Sequence, residues 1–187
     1  FEDGLYYDLS VSKIRGNFLW SLNQRLETDT YNPNDLGFIR ANNEFSNGVR
    51  LHYNIYEPFG KILRFYNRIY ANYSTLYKPF EFSRFELGGR SSLVFRNYLS
   101  SGVSMEYSPD RNDWYESRVT EKKFIDPGYI YGRVFISSDY RKTFALDADF
   151  SHYTSFGYDS EFFGFGISPR LRVNDKFFVV YDLDRNI

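Results

Sequence analysis

Apolar and polar side chains alternate with a period of two along ten segments of the chain, and no other feature restricts the fold as strongly. A period of two places successive side chains on opposite faces of a β-strand, whereas an amphipathic helix repeats about every 3.6 residues. In residues 17–27, for example, Trp20 and Leu22 face away from Ser21. The ten segments cover residues 5–12, 17–27, 43–56, 61–74, 84–96, 99–107, 130–137, 143–151, 163–172 and 177–184. The chain is therefore predicted to be all-β.

The connections between these segments alternate in length. Tight turns occur around residues 15–17, 57–60, 97–98 and 139–141. The two longest connections, 28–42 and 109–128, both fall between tight turns. An up-and-down meander with short turns at one end and long loops at the other is typical of outer-membrane β-barrels. The pattern predicts that both long loops emerge at the same end of the sheet, opposite the tight turns.

Aromatic residues make up 21% of the chain, with 18 Tyr and 20 Phe. Tyr and Phe gather at the two interfaces of a membrane barrel. No apolar run approaches the roughly 18 residues of a transmembrane helix, and the mean hydropathy is −0.52. Barrel strands show only one face to lipid and therefore contribute little to hydropathy. These features favour an antiparallel up-and-down transmembrane β-barrel of about ten strands. A soluble lipocalin-like barrel or a β-sandwich is the alternative.

A membrane barrel assigns a direction to each strand residue, because apolar side chains meet lipid and polar ones line the lumen. The residues expected to point outward are Phe18, Trp20, Leu51, Phe65, Leu93, Val134, Phe150, Phe165 and Val179. The residues expected to point inward are Arg50, Arg90, Arg133, Asp147 and Asp182. Asn67 and Ser91 are exceptions, since they fall on the apolar face. Pro169 interrupts the ninth strand, which requires a bulge or a position at the rim.

Five arginines fall on the inner faces of the fourth and fifth strands and form a basic arc. They are Arg64, Arg68, Arg84, Arg90 and Arg96. In a barrel, such an arc either favours anionic solutes or neutralises nearby carboxylates. The two interpretations predict different surroundings for the guanidinium groups.

The chain contains only two histidines. His52 falls on the polar face, where a barrel hydrolase would need a nucleophile and an orienting partner beside it. No nucleophile motif surrounds it, so we interpret His52 as a lumen-lining residue. His152 falls on the apolar face near a strand end. We therefore predict that the chain is not an enzyme.

Two pairs of aspartates, at 147 and 149 and at 182 and 184, each share one face of a strand. Paired carboxylates serve acid–base or metal chemistry, but they also form solvated ladders balanced by arginines, here Arg133, Arg170 and Arg172. We favour the second reading. The absence of Cys excludes disulfides and thiolate metal sites. We predict no metal site and no cofactor.

Two segments carry a family resemblance. Asn32-Pro33-Asn34-Asp35-Leu36-Gly37-Phe38 and Trp114-Tyr115-Glu116-Ser117-Arg118 resemble the barrel region of domain of unknown function 5916, an uncharacterised family of Bacteroidota outer-membrane proteins. The resemblance covers the chain from about residue 20 to residue 187. It implies an outer-membrane location, a signal peptide, and an N-terminal domain similar to family 9 carbohydrate-binding modules. It implies no catalytic residues.

We therefore expect residues 1–187 to form one incomplete barrel domain in the bacterial outer membrane, without the N-terminal domain. The expected partner is the lipid bilayer, and a glycan or another envelope protein is a further candidate. A net charge of −1 gives no reason to expect nucleic acid. The expected function is a non-enzymatic channel, a transporter, or an anchor for a carbohydrate-binding module. The alternatives are a barrel enzyme with a lumen or rim site and a structural subunit of an envelope complex.

The two long loops are the expected place of recognition, because the strands are constrained by lipid and by their ladders. We expect loop 28–42 to fold inward or to pack on its neighbour. The loops then either cap the rim or form a platform for a glycan or a partner, with flat aromatic rings as the contact surface. The candidate platform residues are Asp35, Phe38, Trp114, Tyr115, Glu116 and Arg118.

Overall fold

A computed structural model describes residues 3–32, 42–117, 119, 122–157 and 159–187 of the chain. These residues form strands and connecting turns. The strands are β1 (Tyr6–Lys13), β2 (Phe18–Glu27), β3 (Glu44–Ile55), β4 (Ile62–Leu76), β5 (Phe82–Phe95), β6 (Ser100–Ser108), β7 (Arg111–Asp113), β8 (Phe124–Asp126), β9 (Tyr129–Ser137), β10 (Phe144–Ser155), β11 (Glu161–Arg172), β12 (Phe178–Val180) and β13 (Leu183–Asn186).

One antiparallel sheet contains all of these strands except β7 and β8, in the order β1-β2-β3-β4-β5-β6-β9-β10-β11-β12, with β13 also paired to β11. From β1 to β12, with the ribbon strands β7 and β8 left out, each strand of this sheet neighbours the next one along the chain, so successive connections lie at opposite ends of the sheet. The connection from β2 to β3 and the connection from β6 to β9 therefore share one end. The tight turns after β1, β3, β5 and β9 share the other. This confirms the predicted all-β meander and the predicted placement of the long loops.

Two details differ from the sequence prediction. The second long loop contains a short ribbon, in which β7 pairs with β8. The tenth predicted strand is split into β12 and β13, and the break lies opposite Pro169. Tyr181 donates its backbone N–H to the Pro169 carbonyl at 3.1 Å, but proline has no N–H to return the bond. The ladder is therefore interrupted at this point.

Cross-strand register places the predicted outward-facing residues on one continuous face of the sheet. Val134 is opposite both Val103 and Phe150, and Phe150 is opposite Phe165. Directly opposed residues share a face, so the predicted alternation is confirmed along these strands. The predicted inward-facing residues occupy the other face, except for Asp182, which lies in the break between β12 and β13 outside any ladder.

Register places more polar residues on the apolar face than the sequence predicted. Gln24 and Asn47 are directly opposite each other and share a hydrogen bond of 2.9 Å, and Arg185 is opposite Phe165 on the last strand. The two predicted exceptions satisfy each other. Asn67 is directly opposite Ser91, and Ser91 donates to the Asn67 side-chain oxygen at 2.8 Å. The Asn67 amide donates to the Tyr53 carbonyl at 2.9 Å. Hydrogen bonding removes most of the penalty for placing polar groups in apolar surroundings.

The sheet has almost no hydrophobic core. Among the described residues, Leu26 and Ala145 are the apolar side chains that are buried, at 9% and 1% exposure. Large apolar side chains on most strands are instead exposed. No ladder in the described part of the chain joins β1 to β12 or β13. The structure therefore shows an open antiparallel sheet, and the closure expected of a complete barrel is not seen. None of the described residues belongs to a helix that is long and apolar enough to span a membrane.

Neighbouring residues of β6 provide a test of the two faces. Val103→Arg should lower the free energy of unfolding in a bilayer by about 2–4 kcal/mol, the range for arginine near the midplane of a lipid-facing strand. Ser104→Arg should cost less than about 1 kcal/mol, because the only penalty is repulsion from the cross-strand neighbours Arg90 and Arg133. Urea unfolding of both variants in lipid vesicles measures the difference. Equal losses at the two positions would contradict the assignment of faces.

Candidate functional site

A row of basic side chains crosses the polar face from β3 to β9. Cross-strand register aligns His52 with Arg68 and Arg68 with Arg90. Arg90 is aligned through Ser104 with Arg133. We call His52, Arg68, Arg90 and Arg133 the cationic row. The row contains two of the five arginines of the predicted arc.

The three other arc residues lie elsewhere. Arg84 forms an ion pair with Glu44 at 3.0 Å at the long-loop end. Arg96 follows β5 and donates its Nε–H to the Gly60 carbonyl at 2.8 Å, in the neighbouring turn between β3 and β4. Arg64 is opposite Val94, near the same turn. The five arginines therefore do not form one contiguous surface, because alternation assigns a face but not a height along the strand.

Arg68 and Arg90 stand directly opposite each other on adjacent strands. Like charges in this position destabilise a sheet. No carboxylate in the described part of the chain lies within ion-pair distance of either guanidinium. Each instead lies against an aromatic ring: the Arg68 guanidinium carbon is 5.7 Å from the centre of Tyr70, and that of Arg90 is 5.2 Å from the centre of Phe135.

Two glycines leave room for these rings against the sheet. A Cβ added at Gly102 would come within 2.6 Å of the Phe135 ring, and one added at Gly88 would come within 2.4 Å of the Tyr70 ring. Both contacts are too short for a real Cβ. Glycine at these positions therefore allows the rings to lie against the backbone. Tyr70 lies on the long-loop side of Arg68, and Phe135 lies on the short-turn side of Arg90.

A second cluster surrounds Glu106, closer to the long-loop end. The Tyr70 hydroxyl donates to one Glu106 carboxylate oxygen at 2.9 Å, and the Tyr129 hydroxyl donates to the other at 2.5 Å. The Tyr129 ring stacks on Tyr153 with 5.4 Å between the ring centres. Both carboxylate oxygens are thus engaged by tyrosines. The sequence analysis missed this cluster, since its members come from β4, β6, β9 and β10 and share no local motif.

The aspartate pairs have mixed surroundings. Arg133 binds Asp149 through two contacts of 3.1 and 3.2 Å, as the balanced-ladder reading predicted. Asp147 accepts hydrogen bonds from Ser137 at 2.6 Å and from the Tyr140 hydroxyl. The other two arginines expected to balance the aspartates have different contacts. Arg170 lies over the Tyr140 and Phe178 rings at 4.4 and 5.3 Å, and Arg172 donates to the Tyr140 carbonyl at 3.2 Å.

The two histidines lie on opposite faces, as predicted. His52 is beside Arg68 in the cationic row. His152 stacks on Phe163 on the apolar face with 4.5 Å between the ring centres, and its Nε2 is 2.7 Å from Glu161. Within the described residues there is no group of three or more His, Cys, Asp or Glu side chains that could hold a metal ion.

Of the six candidate platform residues, the structure describes Trp114, Tyr115 and Glu116. Asp35, Phe38 and Arg118 lie outside the described residues, and so does most of the expected contact between the two loops. Trp114 donates its indole N–H to the Phe82 carbonyl at 3.1 Å, which ties the ribbon to β5. The Asp113 carboxylate accepts the backbone N–H groups of Tyr115 and Glu116 at 2.9 and 2.8 Å. Tyr115 is 41% exposed.

An open groove of about 570 Å³ lies where the ribbon meets the long-loop end of the sheet. Its lining combines aromatic and aliphatic side chains with two polar ones. The lining residues are Phe82, Tyr107, Pro109, Asp110, Asn112, Ile125 and Phe156. The Asp110 carboxylate accepts the Gly128 backbone N–H at 2.7 Å, which fixes the bend between sheet and ribbon.

The turn between β9 and β10 is held by Asp139 and Arg141. Two guanidinium contacts of 2.9 and 2.8 Å and a backbone N–H contact of 3.0 Å join them. The Arg141 guanidinium also lies 3.3 Å from the centre of the Tyr98 ring in the neighbouring turn. The hydrogen bonds from Arg141 lower the pKa of Asp139 to about 2. This contact therefore links two adjacent turns at the short-turn end.

Comparison with known proteins gives one match. A family model described as Domain of unknown function (DUF5916) matches residues 1–187. No curated protein and no solved structure matches the chain significantly.

The Asp139 contact predicts a pH dependence. A carboxyl whose pKa is depressed on folding contributes stability that is present above its unfolded pKa and lost as the pH falls through the folded value. The stability difference between the wild type and Asp139→Asn should therefore be constant above about pH 5 and should largely disappear as the pH falls toward 2. Thermal unfolding of both proteins in detergent at a series of pH values measures this. A difference that persists unchanged at pH 2 would show that the Asp139 charge does not stabilise the turn.

Proposed function

The chain belongs to the family Domain of unknown function (DUF5916), and we propose that its sheet is the wall of an outer-membrane β-barrel with a water-filled lumen. The observation that carries this proposal is a single sheet with one apolar face, one charged face and almost no core. A soluble domain buries its apolar face against a second layer. In the described part of the chain, the only other sheet is the two-stranded ribbon.

The size of the apolar face supports lipid as the solvent on that side. Ten strands about 4.8 Å apart, with an apolar band about 25 Å tall, present a face on the order of 1,000 Å². The largest apolar patches on soluble monomers cover roughly 300–600 Å². Exposed apolar side chains occur along the whole width of this face, from Leu9 in β1 through Val103 in β6 to Ile167 in β11. Water is a poor solvent for such a surface.

Aromatic pairs mark the long-loop end of the apolar face. Three such pairs have ring centres between 5.9 and 6.2 Å apart: Phe45 with Phe80, Tyr73 with Phe82, and Tyr107 with Phe156. Aromatic girdles flank the apolar band of membrane barrels at the level of the headgroups. The pairs therefore support an interface at this end of the sheet.

The charged face supports a wet lumen. It carries the cationic row, the Glu106 cluster and the ion pair between Arg133 and Asp149. So many charged side chains need either water or ion-pair partners around them. We propose a non-enzymatic role as channel, transporter or anchor for a further module. A barrel enzyme is less well supported, because His52 is beside Arg68 rather than beside a nucleophile and a carboxylate. A structural role in an envelope complex would use the same sheet as its barrel wall, so these observations fit that role as well.

Cysteine labelling of adjacent residues tests the proposal, since residues 1–187 contain no Cys. In the full-length protein in outer-membrane vesicles, Ser104→Cys should react rapidly with a charged, membrane-impermeant thiosulfonate, because its side chain faces water. Val103→Cys should react slowly with that reagent, because lipid excludes both the charged reagent and the thiolate form of the side chain. The ratio of the two labelling rates is the measurement. Equal rates at both positions, or recovery of the protein outside the outer-membrane fraction, would contradict the proposal.

A further inference from the structure

We propose that Arg68 and Arg90 form a subsite that binds oxyanions, namely the carboxylate or phosphate groups of solutes in the lumen. This inference rests on the proposed function, because only a water-filled lumen leaves the pair accessible to solutes. The starting observation is the direct opposition of the two guanidiniums on β4 and β5 without a carboxylate partner in the described part of the chain.

The chain contains acids that could have neutralised this pair, but they are engaged elsewhere. Glu106, bound to the same Tyr70 that Arg68 contacts, accepts both tyrosine hydroxyls through its two carboxylate oxygens. Asp149 is held by Arg133, which belongs to the same row. Arg68 and Arg90 therefore have no carboxylate partner among the described residues, and an anion from solution is the complement that remains.

The two guanidiniums lean in different directions along the wall. Arg68 lies against Tyr70 on its own strand, toward the long-loop end. Arg90 lies against Phe135, whose ring covers Gly102 of β6 and is closer to the short-turn end. The rings restrain both side chains, and the next aligned position beyond Arg90 is Ser104, whose side chain is short. Binding of an anion by two restrained guanidiniums costs little side-chain rotamer entropy.

The donor chemistry selects oxyanions over simple halides. Guanidinium presents parallel N–H groups that match the two oxygens of a carboxylate or the oxygens of a phosphate. His52, aligned with Arg68 on the other side, adds a further nitrogen donor or acceptor to the same row. Binding also relieves the like-charge repulsion between Arg68 and Arg90, so the site exchanges folding stability for affinity.

The test uses the full-length protein in detergent and measures the thermal unfolding midpoint in sodium phosphate, sodium acetate and sodium chloride at equal ionic strength. A ligand that binds only the folded state raises this midpoint. Phosphate and acetate should raise it relative to chloride in the wild type, and the rise should be lost in the Arg68→Gln, Arg90→Gln double variant. At low ionic strength without phosphate, the double variant should unfold at the same temperature as the wild type or higher, because the repulsion is gone.

A charge-neutral double substitution elsewhere on the polar face is the control. Asp8→Asn with Arg25→Gln removes a surface pair of 3.2 Å from β1 and β2, away from the cationic row, and should retain the phosphate response. Absence of a phosphate response in the wild type overturns the proposal, and so does retention of the full response in the double variant. The single variants Arg68→Gln and Arg90→Gln decide the matter if the double variant does not fold. Failure of the lumen itself is detected separately by the labelling of Ser104→Cys.

Discussion

The apolar face of the sheet has no apolar partner in the described chain, and most other features follow from this constraint. In the proposed barrel, lipid supplies the apolar surroundings that this face lacks within the described chain. In that barrel, lipid favours alternation, because a charge on this face would lie in hydrocarbon. It also accounts for the pairing of polar residues on this face, since Ser91 bonds to Asn67, Asn67 bonds to the Tyr53 carbonyl, and Gln24 bonds to Asn47. Arg185, opposite Phe165, is a charged residue on this face and lies at the edge of the sheet. The opposite face is free of that restriction and accumulates charge.

Much of the fold could be predicted from period and loop length alone. Alternation located the strands and the face of residues such as Val134 and Arg90, since side-chain direction in a strand depends only on parity. Two features could not be predicted in this way. The ribbon Arg111–Asp113 with Phe124–Asp126 is too short for a periodic signal. The break before Leu183 depends on Pro169 of the partner strand, and a break of that kind is visible only after the strands are aligned.

The candidate site could be predicted only in part, because a row across a sheet is a property of register. Alternation placed Arg64, Arg68, Arg84, Arg90 and Arg96 on one face, but register separated them into a facing pair, an ion pair and residues near a turn. The same limit hid the Glu106 cluster, whose tyrosines are 36 and 23 residues away along the chain. Gly88 and Gly102 matter for the same reason: each makes room for an aromatic ring from another strand. Their role follows from cross-strand neighbours and not from the adjoining sequence.

Fluorescence of Trp20 tests most directly whether the apolar face meets lipid. Trp20 lies on that face opposite Leu51, and Trp114→Phe leaves it as the single tryptophan among residues 1–187. In vesicles of the full-length protein that has no other tryptophan, phospholipids brominated along their acyl chains should quench Trp20 strongly, while aqueous iodide should have little effect. Strong quenching by iodide with none by brominated lipid would show that the apolar face meets water, and would contradict the membrane-barrel account.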